Sequence, residues 1–108
     1  MATILESKIQ KQVIKYLKDN RIYHFRFQAQ VNLNGLPDII ALYKGVLIGM
    51  ELKKEDGKPT ELQLKKLQAI NENGGIGIIV KSVEDVSKLI NYIDSITDEK
   101  FIKYYTNC

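Results

Sequence analysis

Two carboxylates and an ammonium group stand close together in the middle of this sequence: Asp38, then Glu51 and Lys53. Asp38 to Tyr43 and Val46 to Lys53 read as two strands joined at Lys44-Gly45. Antiparallel pairing about that turn sets Asp38 directly opposite Glu51. Opposed residues share a sheet face with Cβ atoms roughly 4.5–5.5 Å apart, and Lys53, two positions on, joins the same face. Two like charges side by side repel unless something compensates them. A hard divalent cation does so, because Mg²⁺ takes oxygen ligands, commonly one or two carboxylates, and keeps several waters. The backbone carbonyl of Leu52 would offer one more oxygen. Such an ion orients and acidifies a water and polarises a phosphoryl oxygen. Lys53 would hold the attacking water or neutralise charge developing on phosphorus. The spacing points to metal-assisted hydrolysis of a phosphodiester.

Taken singly, an Asp at a strand start is a turn residue, and Glu-x-Lys on a strand is an exposed charged face. Against that reading, Ile39, Ile40, Ala41, Leu42, Val46, Leu47, Ile48 and Met50 make both faces of the hairpin apolar. A hairpin of that kind belongs in the middle of a sheet, where charges at its ends need a cleft to be solvated.

The surrounding elements must position these groups. From Thr3 to about Asn20, Ile9, Val13, Tyr16 and Leu17 recur at helical spacing. From Ile22 to Val31 the period becomes two: Tyr23, Phe25, Phe27, Ala29 and Val31 form one face, and His24, Arg26, Gln28 and Gln30 form a polar one. Asn32 to Pro37 is a loop by its turn residues. A second helix runs from Thr60 to about Asn73 and is closed by Gly74-Gly75. Ile76 to Lys81 reads as a strand buried on both faces. Ser82 caps a last helix with Val86, Leu89, Ile90 and Ile93 inward. The order α-β-β-β-α-β-α predicts an α/β fold, a mixed central sheet flanked by helices, in one domain over residues 1–108. Residues 98–108 are expected to be a loose or dimer-contacting tail, with Tyr104-Tyr105 as the contact.

Two further residues carry competing explanations. Thr3-x-x-Glu6 and Thr60-x-x-Gln63 each have the form of a capping box. Glu6 also lies on the stripe of Ile9 and Val13, where a carboxylate would meet a cation. Gln63 serves as a helix cap, a substrate contact, or both. The lone His24 reads as structural, and Arg26 on its face as the better phosphate contact. Lys54, Lys58, Lys65 and Lys66 cluster near the start of the second helix. By default that is a solvated face; beside a metal site it becomes a DNA track, and Gln28 and Gln30 either line the cleft or face solvent.

Gly35-Leu36-Pro37-Asp38 followed by Glu51-Leu52-Lys53 resembles the metal-site signature of the PD-(D/E)XK nuclease superfamily. The arrangement is most similar to its VRR-NUC branch, which shows a helical Glu, G-x-P-D, E-x-K and a helix with an early Gln. Glu6 and Gln63 match the first and last of these. The resemblance implies a restriction-endonuclease-like domain, a Mg²⁺ or Mn²⁺ requirement and cleavage of DNA. It implies Asp38, Glu51, Lys53, Glu6 and Gln63 as catalytic residues, with Glu6 meeting the metal directly or through water. Stand-alone phage and bacterial members of this size imply a homodimer similar to Holliday-junction resolvases, acting on branched DNA. Asn32-Leu33-Asn34 departs from the Gly-rich stretch of many members, which bears on the cleft and not on the metal ligands. Alternatives of other kinds are a flap or structure-nonspecific nuclease on the same fold, and a DNA-binding module without catalysis.

Composition sets the outer bounds. The 108 residues carry 16 Lys+Arg against 13 Asp+Glu, a net charge of +3 that suits a phosphate-rich partner without demanding one. The single cysteine, Cys108, excludes a disulfide framework. No apolar run is long enough for a bilayer and the N-terminus lacks the pattern of a secretory signal. A cytoplasmic location is expected, within the host cell if the protein is phage-encoded.

Overall fold

The computed structural model describes residues 4–27 and 35–97. They form α1 (Glu6–Asp19), β1 (Tyr23–Arg26), β2 (Ile39–Tyr43), β3 (Val46–Leu52), α2 (Glu61–Glu72), β4 (Ile76–Val80) and α3 (Val83–Ile96). This is the expected order. The sheet runs β1-β2-β3-β4, antiparallel between the first three strands and parallel between β3 and β4. A parallel pair needs a crossover, and α2 supplies it.

The two sheet faces are covered unequally. Ile39 and Ala41 of β2, Ile48, Met50 and Leu52 of β3, and Val80 of β4 point to one face. There they pack with Ile9, Val13 and Leu17 of α1 and Val86, Ile90 and Ile93 of α3 in one continuous core. Burying a side chain of this size contributes about 1.5–3 kcal/mol, so this face holds most of the folding energy. Among the described residues the opposite face meets α2 alone, whose Leu67 and Ile70 lie over Gly77 and Gly49. Beyond α2 none of the described elements covers that face, and Leu42 and Leu47 at the hairpin tip are 48% and 43% exposed.

Several boundaries and faces differ from expectation. The first helix begins at Glu6 with Leu5 as its N-cap, and no side chain caps it. Glu6 therefore occupies the first helical position, not the third that a capping box needs, and Thr3 lies outside the described residues. Ser82 holds the N-cap position of α3 without a side-chain bond. In β1 the aromatic face is the open one: Tyr23 and Phe25 are exposed, while His24 and Arg26 share the α1 face with Ala41 and Ile39. Strand β4 is the edge of the described sheet, half-buried except at Val80, because no described strand pairs beyond it. The Asn71 side chain holds both backbone groups of Gly77, donating to its carbonyl at 3.3 Å and accepting from its N–H at 2.8 Å. Groups so occupied cannot pair with a further strand.

The β2–β3 turn is the device that aligns the site. Lys44 and Gly45 both have positive φ, +49° and +82°, as a two-residue type I′ hairpin requires. Lysine is strained there, and its ammonium is anchored on Asp94 of α3 at 2.6 Å. The Tyr43 hydroxyl donates to the same carboxylate oxygen at 2.7 Å. That bond and the nearby charge push the Tyr43 hydroxyl up to about 12. The register follows the expected centre, Tyr43 with Val46 through Ile39 with Met50. No helix among the described residues is long and apolar enough to cross a membrane.

Candidate metal centre

Continued by one residue, the hairpin register pairs Asp38 with Glu51, and the side chains meet there. Asp38 Oδ2 accepts a hydrogen bond from the Leu52 N–H at 2.8 Å, which fixes the carboxylate against β3. Glu51 is the single buried charged residue among those described, 2% exposed at the end of β3. Burial, then the Asp38 charge and a hydrogen bond with that carboxyl, push Glu51 up to about 8; Lys53 pulls it down and Glu6 adds to the rise.

Each oxygen of Glu51 has a different environment. Oε2 accepts from Gln63 Nε2 at 3.1 Å and lies 3.8 Å from Lys53 Nζ. Oε1 is buried and receives no hydrogen bond from any donor among the described residues. Leaving a buried carboxylate oxygen unpaired costs on the order of 1–3 kcal/mol or more, and natural cores seldom accept it without a functional reason. A divalent cation fits this donor set. Two hard carboxylates, one with an unsatisfied oxygen, already sit at hydrogen-bonding reach of each other, and the ion would remove the repulsion that raises Glu51.

The approach of Asp38 depends on tight packing behind it. Pro37 is buried over Gly49, where an added Cβ would lie 3.0 Å from Pro37 Cγ and 2.5 Å from Ile70 Cδ1. Only the absence of a side chain at Gly49 lets α2 and the Pro37-Asp38 segment close on β3 together. Gly35, at φ +79°, takes a conformation that other residues resist, and packs against Leu62 of α2.

Gln63 does two jobs at once. Its backbone N–H donates to Thr60 Oγ1 at 3.1 Å and its Oε1 accepts from the Thr60 N–H at 2.8 Å, a complete capping box. Its amide nitrogen is thereby aimed at Glu51. Glu6, exposed at the start of α1, is near enough to act on Glu51 by charge. Among the described residues no three His, Cys, Asp or Glu side chains converge as a ready metal cluster, so Glu6 stands outside the Asp38–Glu51 pair.

The remaining candidates are dispersed. Arg26 is exposed on the α1 face, across the sheet from the carboxylates. Lys54, Lys58, Lys65 and Lys66 are exposed, and Lys54 lies 3.8 Å from Asp56. His24 Nδ1 is 2.8 Å from the Ile22 carbonyl, which can only accept, so His24 donates there in a structural role. Gln28, Gln30 and the Tyr104-Tyr105 pair lie outside the described residues. Sequence reasoning missed Asp94, whose two bonds anchor the hairpin turn; the positive φ demanded at Lys44 was the available signal.

The sequence matches no protein-family model and no curated protein. Two of the solved structures similar to this chain are these. One is described as a VRR_NUC domain protein, with a TM-score of 0.70 at 17% identity over 91% of this chain and 94% of that one. The other is described as a VRR_NUC domain, with a TM-score of 0.67 at 26% identity over 80% of this chain and 94% of that one. This chain has the fold of a VRR-NUC domain. In that α/β frame of four strands and three helices, the Asp38–Glu51 pair lies at the end of the two central strands.

Proposed function

We propose that this VRR-NUC domain is a metal-dependent nuclease that hydrolyses DNA phosphodiester bonds. The observation that carries the reading is Glu51: a buried carboxylate against Asp38, with one oxygen unpartnered. Asp38, Glu51 and the Leu52 carbonyl would hold Mg²⁺ or Mn²⁺, with Glu6 reached through water. The bound ion would supply Lewis acidity and a water of lowered pKa.

The chain's own groups do the rest. Asp38 is held in place by the Leu52 N–H, so it needs no rearrangement to act as a ligand. Gln63 and Lys53 fix one oxygen of Glu51 and leave the other to face the ion. Lys53, 16% exposed in its side chain, would stand beside the reacting phosphate and offer a proton donor or a positive charge to its oxygens. Preorganised groups of this kind act without reorganisation during reaction. The exposed lysines around the start of α2 would carry the flanking DNA backbone.

The same reading extends to branched substrates such as Holliday junctions, cut by a homodimer. It is supported by economy: a two-fold symmetric substrate calls for two symmetric sites. Purified protein with Mg²⁺ should nick a four-way junction, and Asp38→Ala and Glu51→Ala should each lower the rate at least about 100-fold. Absence of metal-dependent cleavage by the wild type, or undiminished cleavage by both variants, would refute the proposal.

A further inference from the structure

The open half of the carboxylate face carries a row of aromatic rings that the hydrolytic reading does not use. Tyr23, Phe25 and Phe27 are 68%, 44% and 40% exposed. Their rings follow one another edge to face, with centroids 6.3 and 5.9 Å apart. Tyr23 pairs with Leu42 and Phe25 with Ile40, and Ile40 lies two residues from Asp38 on the same face. The row therefore lies on the same sheet face as the candidate metal centre, along the edge strand of the described sheet.

The other side of β1 is basic. Lys11, Lys15 and Lys18 of α1 and Arg26 of β1 line a groove of about 470 Å³, together with Ile14. Lys15 is paired with Asp19 at 2.6 Å, which leaves a surplus of about three positive charges by simple count. Along Tyr23-His24-Phe25-Arg26-Phe27, rings and polar groups alternate between the two faces. One edge strand thus offers stacking surfaces on one side and phosphate neutralisation on the other.

We propose that β1 and α1 form a binding platform for an unpaired nucleic-acid strand, with bases stacked on Tyr23, Phe25 and Phe27 and phosphates drawn to Arg26 and the α1 lysines. Rings spaced one every second strand residue, about 6–7 Å, suit an extended strand whose bases are separated, and every base has a face to stack. A paired duplex hides those faces. A second copy of the chain seated on the same row would cover the approach to Asp38 and Glu51, whereas a nucleic acid must come there in any case. The proposal rests on the nuclease reading only in taking that face as the substrate's path. It adds that the preferred substrate has unpaired bases beside the scissile phosphate.

The test is binding of the full chain to a fluorescent 12-nucleotide oligothymidylate and to a duplex, in EDTA, so that catalysis plays no part. Phe25→Ala should weaken oligothymidylate binding about 5- to 100-fold, with duplex affinity and thermal midpoint nearly unchanged, and Phe25→Tyr should restore it. The triple change Lys11→Gln, Lys15→Gln, Lys18→Gln should reduce the slope of log affinity against log salt by about 2. Unchanged oligothymidylate binding by Phe25→Ala and Tyr23→Ala overturns the proposal. So does conversion of a dimer to monomers by those changes with affinity per protomer intact, which would assign the row to a second copy. A chain that binds the strand through these rings but cuts no DNA keeps the platform and removes the catalytic reading; one that cuts DNA and ignores the rings does the reverse.

Discussion

Loading of the proposed metal centre should release a proton, and the number released should depend on pH in a defined way. Glu51 rises from 4.5 to about 8 because it is buried against Asp38. At pH 7 it is then about 90% protonated, at pH 8 about half, and at pH 9 about one tenth. A divalent cation binds the ionised form. Addition of Mg²⁺ or Mn²⁺ should therefore expel about 0.9 proton per site at pH 7, about 0.5 at pH 8 and about 0.1 at pH 9. Apparent affinity should climb about tenfold between pH 6 and 7 and less than about twofold between pH 8 and 9. Titration calorimetry in buffers of different ionisation enthalpy measures the proton count directly. Equal heats in all buffers at pH 7, or a proton count that survives Glu51→Gln, would show that Glu51 is not the group the cation displaces.

Stability gives an independent measure of the same group. Between pH 4.5 and about 8 the unfolded carboxyl is ionised while the folded one keeps its proton. Folding then takes up a proton, so stability present below pH 4.5 is lost as pH rises towards 8. The loss is on the order of 4–5 kcal/mol at most. The thermal midpoint in EDTA should fall over that interval, and saturating Mg²⁺ should flatten the fall.

Other substitutions test individual contacts. Glu51→Gln should abolish cleavage yet raise the thermal midpoint at pH 8–9, because it removes a buried charge that only the metal compensates. Thr60→Ala should cost about 1 kcal/mol through the lost cap and leave turnover nearly intact, whereas Gln63→Ala should match that loss in chemical denaturation and also slow cleavage. Asp94→Ala should bring the Tyr43 titration, followed by ultraviolet absorbance, from about 12 back towards 10.0.

Much of this arrangement could be read from residue order because it depends on local geometry. A Lys-Gly turn with apolar strands on either side has few registers open to it, since a one-residue slip would exchange the two faces. The Asp38–Glu51 pairing followed from that alone. The helical stripes of α1 and α3 were legible for the same reason: Ile9, Val13, Leu17, Val86, Ile90 and Ile93 are all buried. What could not be read was which face each helix would cover. Alternation in β1 divides Tyr23 and Phe25 from His24 and Arg26, but it does not say which set is open. Apolarity suggested that the rings were inside. The placement of α1 and α3 on one face and α2 alone on the other put them outside, and likewise left β4 as a half-covered edge.

The position of Glu51 also explains why the local rules fail where they do. A sheet core selects apolar residues at the middle of its central strands, and β3 obeys from Val46 to Met50 before placing an acid at a fully buried position. Gln63 supplies a single neutral donor and Lys53 a distant charge, too little to satisfy a carboxylate beside a second one. In the proposed hydrolysis the imbalance is useful, because a proton relieves it in the absence of metal and a cation takes that proton's place. If so, Gly49→Ala is the informative perturbation, since it touches no polar group. Its Cβ would meet Ile70 and Pro37, and overpacking of this kind costs about 1–3 kcal/mol. Pro37 would have to move, and Asp38 with it. The expected result is weaker Mn²⁺ binding together with a Glu51 titration closer to 4.5, followed by carboxyl NMR. A loss of stability alone, with metal affinity unchanged, would mean that Asp38 reaches its place without the packing beneath Pro37.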